Sequence, residues 1–235
     1  MIGPAALLPV SRRGGACYLA AVTDAPFQLP LAVDLGATFL FATTGAMVAR
    51  QKRYDLVGVA TLALVTGLGG ALLRDGLFLQ NGPPAVLADG RYLAAVLAGA
   101  GVGAFFVSVL HRLRLVLLLA DALGLGLYAV YGAQKAVLAG LPLLDAMLVG
   151  TVTAVGGGLL RDVLVREEPL LFKPGQFYAL AAVGGCGAFV LLDGPLGLST
   201  PVAAGIGTLV ALGLRLGSIR LGWRTGAYTD EPPGP

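Results

Sequence analysis

Long apolar runs alternate with short charged or Pro/Gly-rich breaks along most of the chain. Seven of these runs approach the roughly 20 residues that a membrane-spanning helix needs. They lie near Leu31 to Ala49, Tyr54 to Arg74, Tyr92 to Leu110, Leu115 to Gln134, Leu141 to Arg161, Phe177 to Leu192 and Pro201 to Leu216. The pattern predicts an all-α integral membrane protein of seven transmembrane helices. Residues 1–28 read as a tail: Arg12 and Arg13 precede an apolar run, Ala16 to Val22, that is short for a signal peptide and is followed by Asp24. Residues 225–235 form a second tail, polar and Pro-rich from Thr229 to Pro235.

The chain is also similar to itself. Shifted by 87 residues without gaps, the segment Val65 to Asp75 lies on Val152 to Asp162, and eight of the eleven positions are identical. The same shift lays Asp34 on Asp121, Leu40 on Leu127, Ala42 on Ala129, and Gly45-Ala46 on Gly132-Ala133. Two matched blocks at one offset indicate an internal duplication, which sets the architecture. Repeat 1 covers 29–112, repeat 2 covers 113–195, and a single further helix occupies 196–224. Each repeat holds three spans, an odd number, so the second is inverted in the bilayer relative to the first. Inverted repeats recur in membrane proteins that build a pathway at the repeat interface.

The charges orient the plan. Basic residues in short loops favour the cytoplasmic side. Arg50, Lys52, Arg53, Arg112, Arg114, Arg166, Lys173, Arg215, Arg220 and Arg224 all lie at or beyond the ends of odd-numbered spans. The other side, with the motif arginines set apart, has Arg12, Arg13, Arg91 and Lys135. The expected topology therefore has the N-terminus outside and the C-terminus in the cytoplasm.

Composition agrees with a lipid solvent: 57% of residues are hydrophobic and 12% charged, against about 25% charged in soluble domains. Thirty-six glycines against one Trp point to close helix packing through small residues. The net charge of +3 comes from scattered residues that form no stripe, so nucleic-acid binding is not expected. Cys17, Cys186 and His111 share no ligand spacing, so no metal site or disulfide is expected, and both cysteines read as small apolar residues. The sequence has no phosphate-binding loop and no nucleophile paired with a base, and it implies neither an enzyme nor a cofactor.

Candidate chemistry gathers on the duplicated segments. Gly67, Gly69 and Gly70, then Gly156, Gly157 and Gly158, sit inside the second and fifth spans. They invite a kink that turns backbone carbonyls toward a water-filled path, or close helix packing, and the two are compatible. Arg74-Asp75 and Arg161-Asp162 end the same spans, and ionisable groups near membrane depth imply partners or a polar pathway. Neighbouring residues diverge by about 100° around a helix, so each Arg is expected to seek a carboxylate other than the adjacent one. Span topology nominates Asp34 for Arg74 and Asp121 for Arg161, with one pair shaping each end of a pathway. The alternative is that the arginines anchor to headgroups. Thr44, Tyr128 and Tyr131 add hydroxyls to such a path or serve in packing. Arg166-Glu167-Glu168-Pro169 reads as a solvated loop. Arg50-Gln51-Lys52-Arg53 reads as a topology signal, and either basic cluster can meet anionic lipid.

The repeated Gly-Gly-x-Leu-Leu-Arg-Asp, the helix-opening Asp34 and Asp121, and the three-plus-three-plus-one plan resemble the prokaryotic trimeric intracellular cation (TRIC) channels. That family overlaps proteins carrying a duplicated glycine-transporter domain. The resemblance spans about Leu31 to Leu216. It implies a homotrimer in the cell inner membrane, with an ion pathway in each subunit between the repeats. It also implies kinked second and fifth helices and potassium as the main permeant ion. Gly69, Gly70, Gly156, Gly157 and Gly158 match its kink positions, and Arg74, Asp75, Arg161 and Asp162 match its charged ends. Repeat 1 has Ala71 where repeat 2 has Gly158, and the Lys-Glu-Val-type motif of animal members is absent. An inverted repeat equally admits a secondary transporter of a small solute such as glycine, or a membrane scaffold.

Overall fold

The computed structural model describes residues 31–80, 82–105, 114–172 and 177–223. Among them seven long helices occur: α1 (Leu31–Gln51), α2 (Leu56–Leu73), α3 (Gly90–Phe105), α4 (Arg114–Leu138), α5 (Leu143–Leu164), α6 (Tyr178–Asp193) and α7 (Thr200–Leu221). The tails, Cys17, His111, Arg112, Lys173 and Arg224 lie outside the described residues. The helix ends follow local chemistry. Asp55 caps α2 by accepting from the Gly58 amide at 2.8 Å, which satisfies one of the free N–H groups of a helix start. Arg53 takes a left-handed φ of 59° and turns the chain from α1 into α2.

Among the described residues, three helices are by themselves long and apolar enough to cross a bilayer: α2 with its extension to Leu79, α5 and α7. α3 and α6 are apolar but have 16 described residues each, about 24 Å of rise.

Helices α1, α2 and α3 pack together, as do α4, α5 and α6; α2 crosses α5 between the two sets, and α7 lies against α4 and α6. The last helix therefore belongs structurally to the second repeat.

The α2–α5 crossing explains the duplicated glycines. A Cβ on Gly70 would overlap the carbonyl oxygen of Thr153, and a Cβ on Gly157 would overlap that of Thr66. Gly70 and Gly157 are 87 residues apart, as are Thr66 and Thr153, so the contact is reciprocal, as a two-fold relation between the repeats requires. Gly69 faces Leu160, and Gly156 faces Leu73, each at 2.8 Å from the absent methyl. The threonine hydroxyls donate back to their own helices, Thr66 to Leu62 O at 2.6 Å and Thr153 to Val149 O at 2.7 Å, so no polar atom is stranded at the crossing. Close approach of small residues supplies the dispersion contacts that associate helices in lipid.

Close packing is seen at these glycines. The α-helical register runs unbroken through Gly67–Gly70 and Gly156–Gly158. In α2 the register does change, but after the glycines, where Arg74–Leu79 widens into a π-helical turn. Two charge placements also differ from expectation. Arg215 and Arg220 lie within α7 and not in the loop beyond it, and Arg215 is buried. Lys135 lies within α4.

Candidate functional site

Each end of the repeat interface carries a charged cluster, and the two clusters are related by the duplication. At the end where α1 starts, Arg74 is 1% exposed. It donates through Nε to Asp75 Oδ1 at 2.6 Å and through Nη2 to Asp75 Oδ2 at 3.0 Å. At the other end Arg161 donates to Asp162 through Nε at 2.9 Å, and its Nη2 lies 2.8 Å from the same oxygen. Each aspartate also holds the chain that follows its helix. Asp75 Oδ2 accepts the Ala85 amide and Asp162 Oδ2 accepts the Leu170 amide, both at 3.3 Å. The backbone repeats this match, with the Gln80 amide bonded to Asp75 O and the Glu167 amide to Asp162 O, both at 2.9 Å.

The expected pairs of Asp34 with Arg74 and of Asp121 with Arg161 are therefore not formed. A long arginine stem can fold back along its own helix, so the adjacent carboxylate comes within reach despite the divergence of the two Cβ atoms. With the guanidinium almost out of solvent, the bidentate contact offers the most compensation for lost hydration. Asp34, buried at the start of α1, instead accepts a hydrogen bond from the Tyr92 hydroxyl of α3. Tyr92 was not singled out from sequence. Its signal was topological, since the first and third spans both start at the same side of the membrane.

The arginines do reach across the repeat interface. Arg74 lies over the Tyr131 ring of α4 at 5.1 Å, and Arg161 Nη1 lies 3.5 Å from Thr44 Oγ1 of α1. Thr44 and Tyr131 are 87 residues apart, so each arginine touches the same position of the opposite repeat. Lys135 joins the first cluster, with Nζ 3.6 Å from Asp75 Oδ1 and 5.6 Å from the Tyr131 ring centre. The second cluster holds Tyr178, with Arg215 above its ring at 4.9 Å. Asp121 lies within electrostatic range of Arg215 and Arg161.

Between the clusters the interface is closed. Phe41 and Tyr128, again 87 residues apart, stack with ring centres 5.5 Å apart and planes 16° from parallel. Tyr128 donates to Asp34 O at 3.2 Å and shares a 2.8 Å hydrogen bond with Thr38. The space bounded by Phe41, Tyr128, Gly70 and Gly157 has no room for water. Toward the first cluster a cavity of about 340 Å³ opens beside Asp75, Lys135, Pro83 and Ala85. Toward the second, a cavity of about 10 Å³ sits among Gly158, Arg161, Asp162 and Tyr178. Cys186 is wholly buried, its Sγ 3.3 Å from Ala129 O, and acts as a small core residue. Among the described residues no cluster of metal-ligating side chains occurs.

This geometry has relatives. The family model described as "Glycine transporter" matches residues 31–108 and again 118–194, two copies that begin 87 residues apart. A UPF0126 membrane protein of Deinococcus radiodurans is 40% identical over 68% of this chain and 74% of its own length. The UPF0126 inner membrane protein YadS of Escherichia coli is 34% identical over 80% of this chain and 90% of its own. Among solved structures, one from work on conductance through TRIC cation channels superposes with a TM-score of 0.78 at 32% identity. It covers 87% of this chain and 100% of that one. The TRIC orthologue of Rhodobacter sphaeroides gives 0.69 at 37% identity, over 81% of this chain and 97% of its own. Matched twice by the glycine-transporter domain, similar to UPF0126 membrane proteins and alike along nearly the full length of the solved structures, the chain belongs to the TRIC family.

Proposed function

We propose that the protein is a monovalent-cation channel that passes mainly potassium, with one pathway per subunit running between the inverted repeats, and that it works as a homotrimer in the cell inner membrane. The observation that carries this reading is the likeness to solved TRIC cation channels over 87% of the chain. The geometry supports it in detail. Two charged mouths, Asp34-Arg74-Asp75 with Tyr131 and Asp121-Arg161-Asp162 with Thr44, flank a closed centre at Phe41 and Tyr128. With the N-terminus outside, as the basic-residue bias favours, the Asp75 mouth faces out and the Asp162 mouth faces the cytoplasm. On this reading the pathway is shut between Phe41 and Tyr128, and the wider vestibule lies outside.

Purified protein in planar bilayers is expected to give discrete current steps that reverse at the potassium equilibrium potential. A second reading, transport of a small zwitterion, draws on the outer cavity, whose wall presents both a carboxylate and an ammonium group in about 340 Å³. Saturable, gradient-coupled uptake of glycine into proteoliposomes, without current steps, would replace the channel reading with this one.

A further inference from the structure

The two charged clusters balance in the same way from unlike parts. The first holds two carboxylates, Asp34 and Asp75, and two cations, Arg74 and Lys135, each cation within electrostatic range of both carboxylates. The second holds Asp121 and Asp162 with Arg161 and Arg215. Three members of each set are supplied by the duplication, but the fourth is not. The position equivalent to Lys135 in repeat 1 is Val48, and Arg215 comes from α7, outside both repeats.

We propose that Arg215 sets how readily cations are admitted at the Arg161–Asp162 mouth, which makes α7 an electrostatic part of the pathway as well as a brace for repeat 2. The inference rests on the channel reading above. Arg215 is only 6% exposed although it lies six residues before the end of α7. A guanidinium held at such a place is costly unless carboxylates answer it. Its plane lies over Tyr178, whose hydroxyl would be 3.6 Å from a methyl group on Gly158, the residue beside Arg161 in the small cavity. An ion approaching this mouth therefore meets two positive and two negative groups, and sees little net charge. Without Arg215 the mouth carries one net negative charge, and cations are drawn to it.

Patches excised from cells expressing the protein hold all channels in one orientation, which makes the test direct. In symmetrical potassium chloride, Arg215→Gln is expected to raise current carried from the Asp162 side relative to wild type, and so to introduce rectification. The expected change is roughly fourfold, as for a unit charge about 10 Å from the ion at an effective dielectric of about 40. It should shrink in concentrated salt. Lys135→Gln should rectify in the opposite sense, Arg215→Lys should restore the wild-type current shape, and Asp121→Asn with Arg215→Gln should cancel. Asp121→Asn alone lowers current from that side and decides the matter if Arg215→Gln does not assemble. A wild type without potassium current removes the channel reading and this inference with it. A conducting wild type removes the inference alone if Arg215→Gln rectifies no differently, or if Lys135→Gln shifts rectification in the same sense.

Discussion

Gly70→Ala tests the crossing of α2 and α5 where it is tightest. The new methyl would overlap the Thr153 carbonyl oxygen and sit 3.2 Å from the carbonyl carbon, and both are backbone atoms of a helix, so no rotamer change relieves the clash. The helices must part. Forcing extra volume into a packed site costs about 1–3 kcal/mol, and the better helix propensity of Ala returns about 1 kcal/mol. Because the overlap is with backbone that cannot rotate away, the upper half of that cost applies, and a net loss of about 1–2 kcal/mol follows, which is about 2–8 °C in melting temperature for a chain of this size. Gly157→Ala meets Thr66 in the same way and should lose a similar amount. Once one substitution has separated the helices, the second costs less, so the double variant should fall short of the sum by about 1 kcal/mol. Gly76→Ala has nothing within 4 Å of its methyl and serves as the control. Melting of the purified protein in detergent measures all four variants. Wild-type stability in Gly70→Ala, or an equal loss in Gly76→Ala, would refute the role assigned to the crossing.

The other expectations concern the clusters and the loops. Asp75→Asn leaves Arg74 buried without its counter-charge and should destabilise by about 3–5 kcal/mol in the same melting assay. Asp162→Asn should cost less, because the Arg161 side chain is 14% exposed against 2% for Arg74. Tyr92→Phe removes the donor to the Asp34 carboxylate and should cost about 1–3 kcal/mol, with Asp34→Asn recovering part of the loss. On the surface, Lys52 and Glu167 pair at 2.6 Å, and the hydrogen bond to Glu167 raises the Lys52 pKa. A raised lysine pKa stabilises below the ordinary value of 10.5 and ceases to do so as pH climbs through the folded value. Coupling in a Lys52→Ala, Glu167→Ala double-mutant cycle should therefore be level at neutral pH, fade in acid as the Glu167 carboxylate is protonated, and on the basic side vanish only in strong alkali, and salt should weaken it.

The spans and the duplication were legible because both are written in local pattern. An apolar run of the right length and a shift of 87 residues need no knowledge of side-chain direction. The pairing at the mouths was not legible. Cβ directions predict partners for short side chains, whereas Arg74 and Arg161 have enough stem to turn back on Asp75 and Asp162. Arg215 was misread for a related reason: hydropathy near a helix end does not separate a loop arginine from one buried over an aromatic ring, as Arg215 is over Tyr178. The glycines left two readings open, since a small residue permits both bending and contact. Contact depends on the position of the neighbouring helix, and here α5 fills the space beside Gly70.

The reciprocal glycine contact bears on how the two halves are free to diverge. In a chain with a single three-helix unit, paired with an oppositely inserted copy of itself, every substitution would appear at both mouths at once. Fusion of the copies removes that constraint for side chains that reach only one end, and Lys135 against Val48 is such a difference. At the crossing the constraint survives fusion, because each glycine is fitted to the backbone of the other copy. Asymmetry, and with it any preference for one direction of flow, is thus kept out of the reciprocal Gly70 and Gly157 contacts, which hold the geometry of a self-complementary ancestor, and is left to the side chains around them.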